Sequence, residues 1–366
     1  MDATLQEGQI LAALSRVQDP DLGRNIVDLG FVKNLKIEEG RVSFTLELTT
    51  PACPMKELMT VQAKDAVFSI QGVNDVQIHL TAQVPKAFPF SKESPIPGVS
   101  NIIAVAGGKG GVGKSTVAAN LAVALSLSGA RVGLMDTDFY GPSIPILLGS
   151  ETPPEAVSET RLAPAEKHGV KVVSMAYFLP REKAVIWRGP MLHRMIRQFS
   201  ENVDWGEIDY LLVDLPPGTG DVQLSLCQTI RVTGAVVVTT PQDLALTVAS
   251  KAITLFRELR VPILGIIENM SGYTCPHCGK QDEIFGHGGA QRISQELGYP
   301  FLGAIPLSAE IRKQSDQGYP VALLEASSPW ASYYLKAARE LAAQISIVRF
   351  QSGSLASPEP APSDKK

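Results

Sequence analysis

Residues 107–116 read Gly-Gly-Lys-Gly-Gly-Val-Gly-Lys-Ser-Thr, and they decide the fold. The stretch follows an apolar run, Ile102-Ile103-Ala104-Val105-Ala106, and opens onto the helical pattern VAANLAVAL at residues 117–125. A buried strand, a glycine-rich loop and a helix N-terminus in that order make a phosphate-binding loop. Gly108, Gly113, Lys114 and Ser115 satisfy G-x-x-x-x-G-K-[ST]. Each part has a physical task. Glycines let successive backbone N–H groups curl around phosphate oxygens with no Cβ in the way. The helix N-terminus adds unsatisfied donors and the positive end of a dipole. Lys114 would reach the β- and γ-phosphates of ATP, and Ser115 would offer its hydroxyl to Mg²⁺. The candidate nucleotide-binding residues are Gly108, Lys109, Gly110, Gly111, Val112, Gly113, Lys114, Ser115 and Thr116. A glycine-rich turn with no ligand is the bland alternative.

Outward from the loop, strand-like runs recur at 131–135, 170–174, 210–213, 235–239, 263–267 and 301–305, and helix patterns such as 191–199 and 245–259 separate most of them. This alternation predicts an α/β fold: a mostly parallel sheet with helices on both faces and its ligand at the carboxyl ends of the strands. Acidic residues stand at those ends. Asp136-Thr137-Asp138 closes one run, and Asp214 closes Tyr210-Leu211-Leu212-Val213 before Leu215-Pro216-Pro217-Gly218. An apolar strand ending on Asp is the Walker B arrangement, which holds Mg²⁺ directly or through water. An Asp at a strand end also serves as a helix cap, so that alternative stays open.

Lys109, second in Gly-Lys-Gly-Gly-Val-Gly-Lys-Ser, is not needed to hold a nucleotide in cis. It resembles the signature lysine of the deviant Walker A ATPases, the group of MinD, ParA, the nitrogenase iron protein and the Mrp/ApbC proteins. The resemblance implies that Lys109 reaches across a homodimer to the second copy's nucleotide, where it would stabilise developing charge. It also implies that Asp138 orients the attacking water, that Asp136 supports the magnesium shell beside Ser115 and Asp214, and that Asn269 contacts the adenine. The catalytic candidates are thus Lys109, Lys114 and Asp138. A solvated surface lysine and a strand-end turn residue are the alternatives for Lys109 and Asn269.

Residues 1–85 read as a small α+β domain: a helix, two alternating runs joined at Glu38-Glu39-Gly40, a helix pattern at 55–68 and a strand near 76–80. Asp19-Pro20-Asp21-Leu22 with Ile26-Val27-Asp28-Leu29-Gly30, and the loop Thr50-Pro51-Ala52-Cys53-Pro54, resemble the SufT-type domain of iron–sulfur assembly proteins. Cys53 precedes a helix pattern, whose dipole would favour a thiolate; a buried, inert cysteine is the alternative. Prolines make 86–100 a semi-stiff linker, 101–350 the ATPase domain, and 351–366 a disordered tail.

The chain has 366 residues, four cysteines and a net charge of −4. That charge predicts no general attraction to nucleic acid or anionic lipid, and no apolar run is long enough for a membrane span. Four cysteines in such a length do not make a disulfide framework, and a reducing cytoplasm is expected.

Cys275-Pro276-His277-Cys278-Gly279 places two thiols at C-x-x-C spacing. Two ligands do not complete a metal site. Two copies related by a twofold axis would supply four thiolates, which suit a [4Fe–4S] cluster or zinc. His277 and His287 could instead complete a zinc site within one chain, or the pair could serve as a redox dithiol. Spacing does not choose. Taken together, GKGGVGKST, DTDFYGPS, DLPPGTGD, ENMSGYTCPHCG and the preceding small domain resemble the Mrp/ApbC iron–sulfur cluster carrier ATPases. That resemblance implies a homodimer that hydrolyses ATP, holds a cluster between subunits, and exchanges it with assembly machinery and recipient apoproteins. The rivals are a MinD/ParA-type positioning ATPase and a zinc-stabilised dimeric ATPase.

Overall fold

The computed structural model describes residues 5–85, 96–178, 189–218, 223, 226–227, 229–325 and 327–354. Most of the expected linker, all of the tail beyond Ser354, and residues 219–222 of the loop after Asp214 lie outside the described residues. The chain divides into two compact units, Met1–Pro85 with Ala343–Lys366, and Lys86–Ala342.

In the small unit, helix α1 (Glu7–Leu14) precedes strands β1 (Val32–Glu38) and β2 (Arg41–Leu48). Glu39 and Gly40 both take positive φ, 48° and 80°, the backbone that a two-residue turn needs to match strand twist. Helix α2 (Lys56–Phe68) then crosses back so that β3 (Asp75–Ala82) lies parallel to β2, in the register Val42↔Val76. Alternation along β2 sends Val42, Phe44, Leu46 and Leu48 into a core with Ile10, Leu14, Met59 and Val67. Phe350, near the chain's C-terminal end, stands edge-on to Phe31 at 6.4 Å. The residues from Ala343 onward therefore group with this unit, although sequence patterning assigns 343–350 to the ATPase domain.

The large unit is built on β4 (Val99–Gly107), α3 (Lys114–Leu127), β5 (Val132–Asp136), α4 (Ile144–Leu148), β6 (Ala165–Lys167), β7 (Val170–Ser174), α5 (Gly189–Glu201), β8 (Ile208–Asp214), β9 (Gly234–Thr239), α6 (Asp243–Glu258), β10 (Ile263–Thr274), β11 (Gln281–Asp282), α7 (Gly289–Leu297), β12 (Phe301–Leu307), α8 (Ala309–Asp316) and the part of α9 (Pro329–Ser354) up to Ala342. The sheet runs β6-β7-β5-β8-β4-β9-β10-β11, with β12 also beside β10. Pairing is parallel from β7 through β10 and on to β12; β6 and β11 add antiparallel edges. Every residue of β4, β5, β8 and β9 is buried, as strands covered on both faces must be. Ile96 is fully buried and Val99 already opens β4, so the fold reaches into the last residues expected to be linker. The strand expected at 263–267 runs on to Thr274, and the final helix extends from Pro329 to Ser354, into the stretch expected as tail.

Candidate functional site

Strand β4 lies mid-sheet, so the loop it feeds sits where the carboxyl ends of β5 and β8 converge. Gly111 and Gly113 hold φ of 82° and 79°, a backbone that L side chains rarely adopt. Gly108 packs on the backbone of α6, where a Cβ would stand 2.6 Å from the Val248 carbonyl carbon. Lys109, Gly110, Gly111, Val112, Gly113, Lys114, Ser115 and Thr116 line a cavity of about 290 Å³ together with Asp138, Ser143, Leu147 and Pro217.

Lys114, only 7% exposed, forms an ion pair with the fully buried Asp214. The Ser115 hydroxyl donates to the other carboxylate oxygen at 2.6 Å. Burial pushes the Asp214 carboxyl above its usual range, while Lys114 and Ser115 pull it down. Asp136, on the next strand, is also buried and is raised by burial and by the charge of Asp214. Its oxygens accept from the Asp138, Ser143 and Ile144 backbone N–H groups and from the Ser174 hydroxyl. Asp136 thus shapes the loop that presents Asp138, whose Oδ1 accepts from the Gly141 N–H at 3.2 Å. These are hard oxygen donors beside a phosphate cradle, and they fit a magnesium ion.

Lys109 reaches Gln242 Oε1 at 3.4 Å, and the Thr240 hydroxyl donates to the same oxygen at 3.0 Å. Asn269, expected at an adenine, packs against the phosphate loop. Its Nδ2 donates to the Val112 carbonyl at 2.8 Å, so the side chain braces the phosphate loop from below. Beside it, Glu268 is fully buried and takes N–H groups from Gly288 and Ala290 at the start of α7, and the Ser271 hydroxyl. The sequence points to Asn269 and to the run ENMSGYTCPHCG but gives Glu268 no task; its signal is an acid closing a buried strand ahead of a Gly-Gly helix start.

Cys275 and Cys278 lie between the arms β10 and β11, which pair at Tyr273↔Asp282 and Thr274↔Gln281. The turn is closed by Cys275 N–H to Lys280 O and Gly279 N–H to Cys275 O, both 2.9 Å. The backbone N–H groups of His277 and Cys278 point at the Cys275 sulfur and lower its pKa. The knuckle leaves Cys278 exposed and Cys275 half-buried, with backbone N–H groups that favour the thiolate of Cys275. Among the described residues no cluster of three or more His, Cys, Asp or Glu forms a metal site. His287 does not join the cysteines: its Nδ1 lies 2.7 Å from the Ser271 hydroxyl. Elsewhere, Cys53 is buried and its thiol is pushed up to about 11, which outweighs the thiolate preference expected ahead of α2. Burial raises Cys227 to about 12, and that residue packs against the core.

A family model described as NUBPL iron-transfer P-loop NTPase matches residues 98–342, and one described as iron–sulfur cluster assembly protein matches 7–80. The iron–sulfur cluster carrier protein of Deinococcus radiodurans is 48% identical over 339 residues, 92% of this chain and 95% of that protein. This chain belongs to the iron–sulfur cluster carrier family of P-loop NTPases. The Escherichia coli K12 carrier is 39% identical over 337 residues, covering 92% of this chain and 91% of that protein. A solved nucleotide-binding protein of Archaeoglobus fulgidus in complex with ADP is 41% identical, covers 64% of this chain and 92% of its own, and superposes with a TM-score of 0.55. Pyrococcus furiosus MinD, 24% identical, covers 66% of this chain and 98% of its own with a TM-score of 0.50, and shares the fold. The family and the fold are thus those that the order of motifs implied. Among the described residues, no helix of this carrier-family chain is long and apolar enough to cross a membrane.

Proposed function

We propose that this chain is an ATP-hydrolysing homodimer that carries a [4Fe–4S] cluster on Cys275 and Cys278 of both copies and passes it to recipient apoproteins. The observation that carries the reading is the cysteine knuckle. One chain presents two free thiols, Cys278 exposed and Cys275 half-buried, with backbone N–H groups directed at the Cys275 sulfur, and two more ligands must come from elsewhere. A second copy supplies them at the same geometry. A shared, exposed site releases its cargo more readily than four cysteines buried in one chain. Assembly machinery would load the site, and a reducing cytoplasm would keep the thiols free.

In the ATPase, Lys114 and the loop N–H groups bind the β- and γ-phosphates, and Asp138 orients the attacking water. Ser115 and Asp214, with Asp136 behind them, would hold magnesium, which when bound neutralises charge on the phosphates. Lys109 places its ammonium across the dimer at the second copy's transferring phosphate. Gln242 holds that lysine aside in the single chain.

The test is transfer. Cluster-loaded protein is mixed anaerobically with an apo [4Fe–4S] dehydratase, and the enzyme's activity is followed. Activity should return with the parent chain and not with Cys275→Ala. Failure of the parent to restore activity, with its cluster retained, would contradict the carrier reading.

A further inference from the structure

Strand β10 passes directly beneath the phosphate loop and then becomes the first arm of the cysteine hairpin. At the point of passage, Asn269 Nδ2 holds the Val112 carbonyl at 2.8 Å, and a Cβ on Gly113 would lie 2.2 Å from the same nitrogen. The Val112 carbonyl and the Gly113 N–H belong to one planar peptide. Asn269 therefore grips the back of a peptide whose N–H is a phosphate donor in this loop. Any rotation of that peptide when phosphates arrive is felt at Asn269.

Beyond Asn269 the chain is tied into the hairpin base by hydrogen bonds. Met270 takes a left-handed φ of 57°, and the pairing of β10 with β12 shifts register between Asn269 and Tyr273. Glu268 then closes the hairpin base by accepting from Ser271 on one arm and from Gly288 and Ala290 after the other. Gly272 N–H to Gly286 O, 3.1 Å, adds a second tie between the arms. Cys275 follows the last residue of the strand.

We propose that Asn269 is a positioning residue that couples the phosphate loop to the Cys275–Cys278 knuckle, so that nucleotide state sets how accessible the two sulfurs are. The proposal deepens the carrier reading, which supplies the cargo of the hairpin, but the link itself needs no cluster. Linkage makes the binding part reciprocal: the factor by which nucleotide changes the knuckle's affinity for a metal is the factor by which that metal changes nucleotide affinity.

The experiment uses the full-length, metal-free chain. Alkylation of Cys275 and Cys278 by iodoacetamide is timed by mass spectrometry, with and without saturating magnesium and a non-hydrolysable ATP analogue. Occupancy is checked with a fluorescent nucleotide. In the parent chain nucleotide should change the rate about fivefold or more, the lower range of ordinary coupling between sites. The ratio should be the same at two protein concentrations tenfold apart, because the link lies within one chain. In Asn269→Ala, and in the isosteric Asn269→Asp that lacks the N–H donor, the ratio should fall to one at nucleotide concentrations raised until the fluorescent probe shows each variant saturated, whatever its affinity. Two substitutions guard against a folding defect in either, which tryptophan emission reports. A parent ratio of one, a ratio that vanishes on dilution, or a parent-like ratio in a folded Asn269 variant overturns the proposal. Failure to reconstitute a cluster would sink the carrier reading and leave this test unaffected.

Discussion

Replacing Lys114 by Met should destabilise the large unit as well as stop hydrolysis. The ammonium is 7% exposed and faces Asp214, which is fully buried. Removing one partner of such a pair leaves a buried carboxylate without its cation, at a cost of about 3–5 kcal/mol. The Ser115 hydroxyl stays on the other oxygen, which places the expected loss near the lower end, about 3 kcal/mol. The pH dependence has a definite sign. Burial already holds the folded-state pKa of Asp214 above its unfolded value, and loss of Lys114 raises it further. The folded state then binds the extra proton, so the deficit is largest at high pH and shrinks as pH falls towards the unfolded carboxylate pKa. Urea unfolding followed by tryptophan emission measures it, since all three tryptophans fall within residues 86–342 and report on the large unit alone. The double variant Lys114→Met/Asp214→Asn, with no charge left to bury, should recover most of the loss. Hydrolysis should fall by about 100-fold or more in the single variant. Stability of Lys114→Met within about 0.5 kcal/mol of the parent at pH 8, the scatter of ordinary surface substitutions, would refute the buried pair.

Lys109→Ala should lower turnover more than nucleotide affinity, because its charge is offered to the second copy; equal losses in paired binding and turnover assays would make it a phosphate contact in cis. Gly113→Ala should abolish nucleotide binding by titration, since its φ of 79° disfavours a side chain and the new Cβ would meet Asn269. At pH 7 iodoacetamide should label Cys275 well before Cys53 or Cys227, whose thiols burial pushes up to about 11 and 12; early labelling of Cys53 would place it outside the core. A chain of residues 96–342 should fold and bind ATP, as circular dichroism and nucleotide titration would show; an insoluble product would place essential core in the small unit.

What the sequence disclosed was local in the chain. The run from Ile102 to Ser115 contains its own strand, loop and helix start, so no distant partner was needed to read it. Asp136 and Asp214 were visible because each closes an apolar run that could only be a buried strand. The hidden parts are non-local. Asn269 meets Val112 across 157 positions, and no periodicity encodes that hydrogen bond. Cys53 precedes a helix, which favours a thiolate, yet the packing of α1 and the small sheet buries it, and burial wins. The pattern of β10 breaks after Ile267 because Glu268, Asn269 and Ser271 are buried through hydrogen bonds rather than apolarity, so its true length was not legible. Phe350 ends a continuous helical pattern, and only the structure shows that its core is the small unit's.

The most direct test of the account is anaerobic reconstitution with iron and sulfide, read by iron and sulfide content together with mass in solution. The account predicts one [4Fe–4S] cluster per two chains, in a species of twice the chain mass, and neither the cluster nor that iron in Cys275→Ala or Cys278→Ala. A cluster bound stoichiometrically to a single chain, one that survives loss of both cysteines, or zinc retained in place of iron would contradict it.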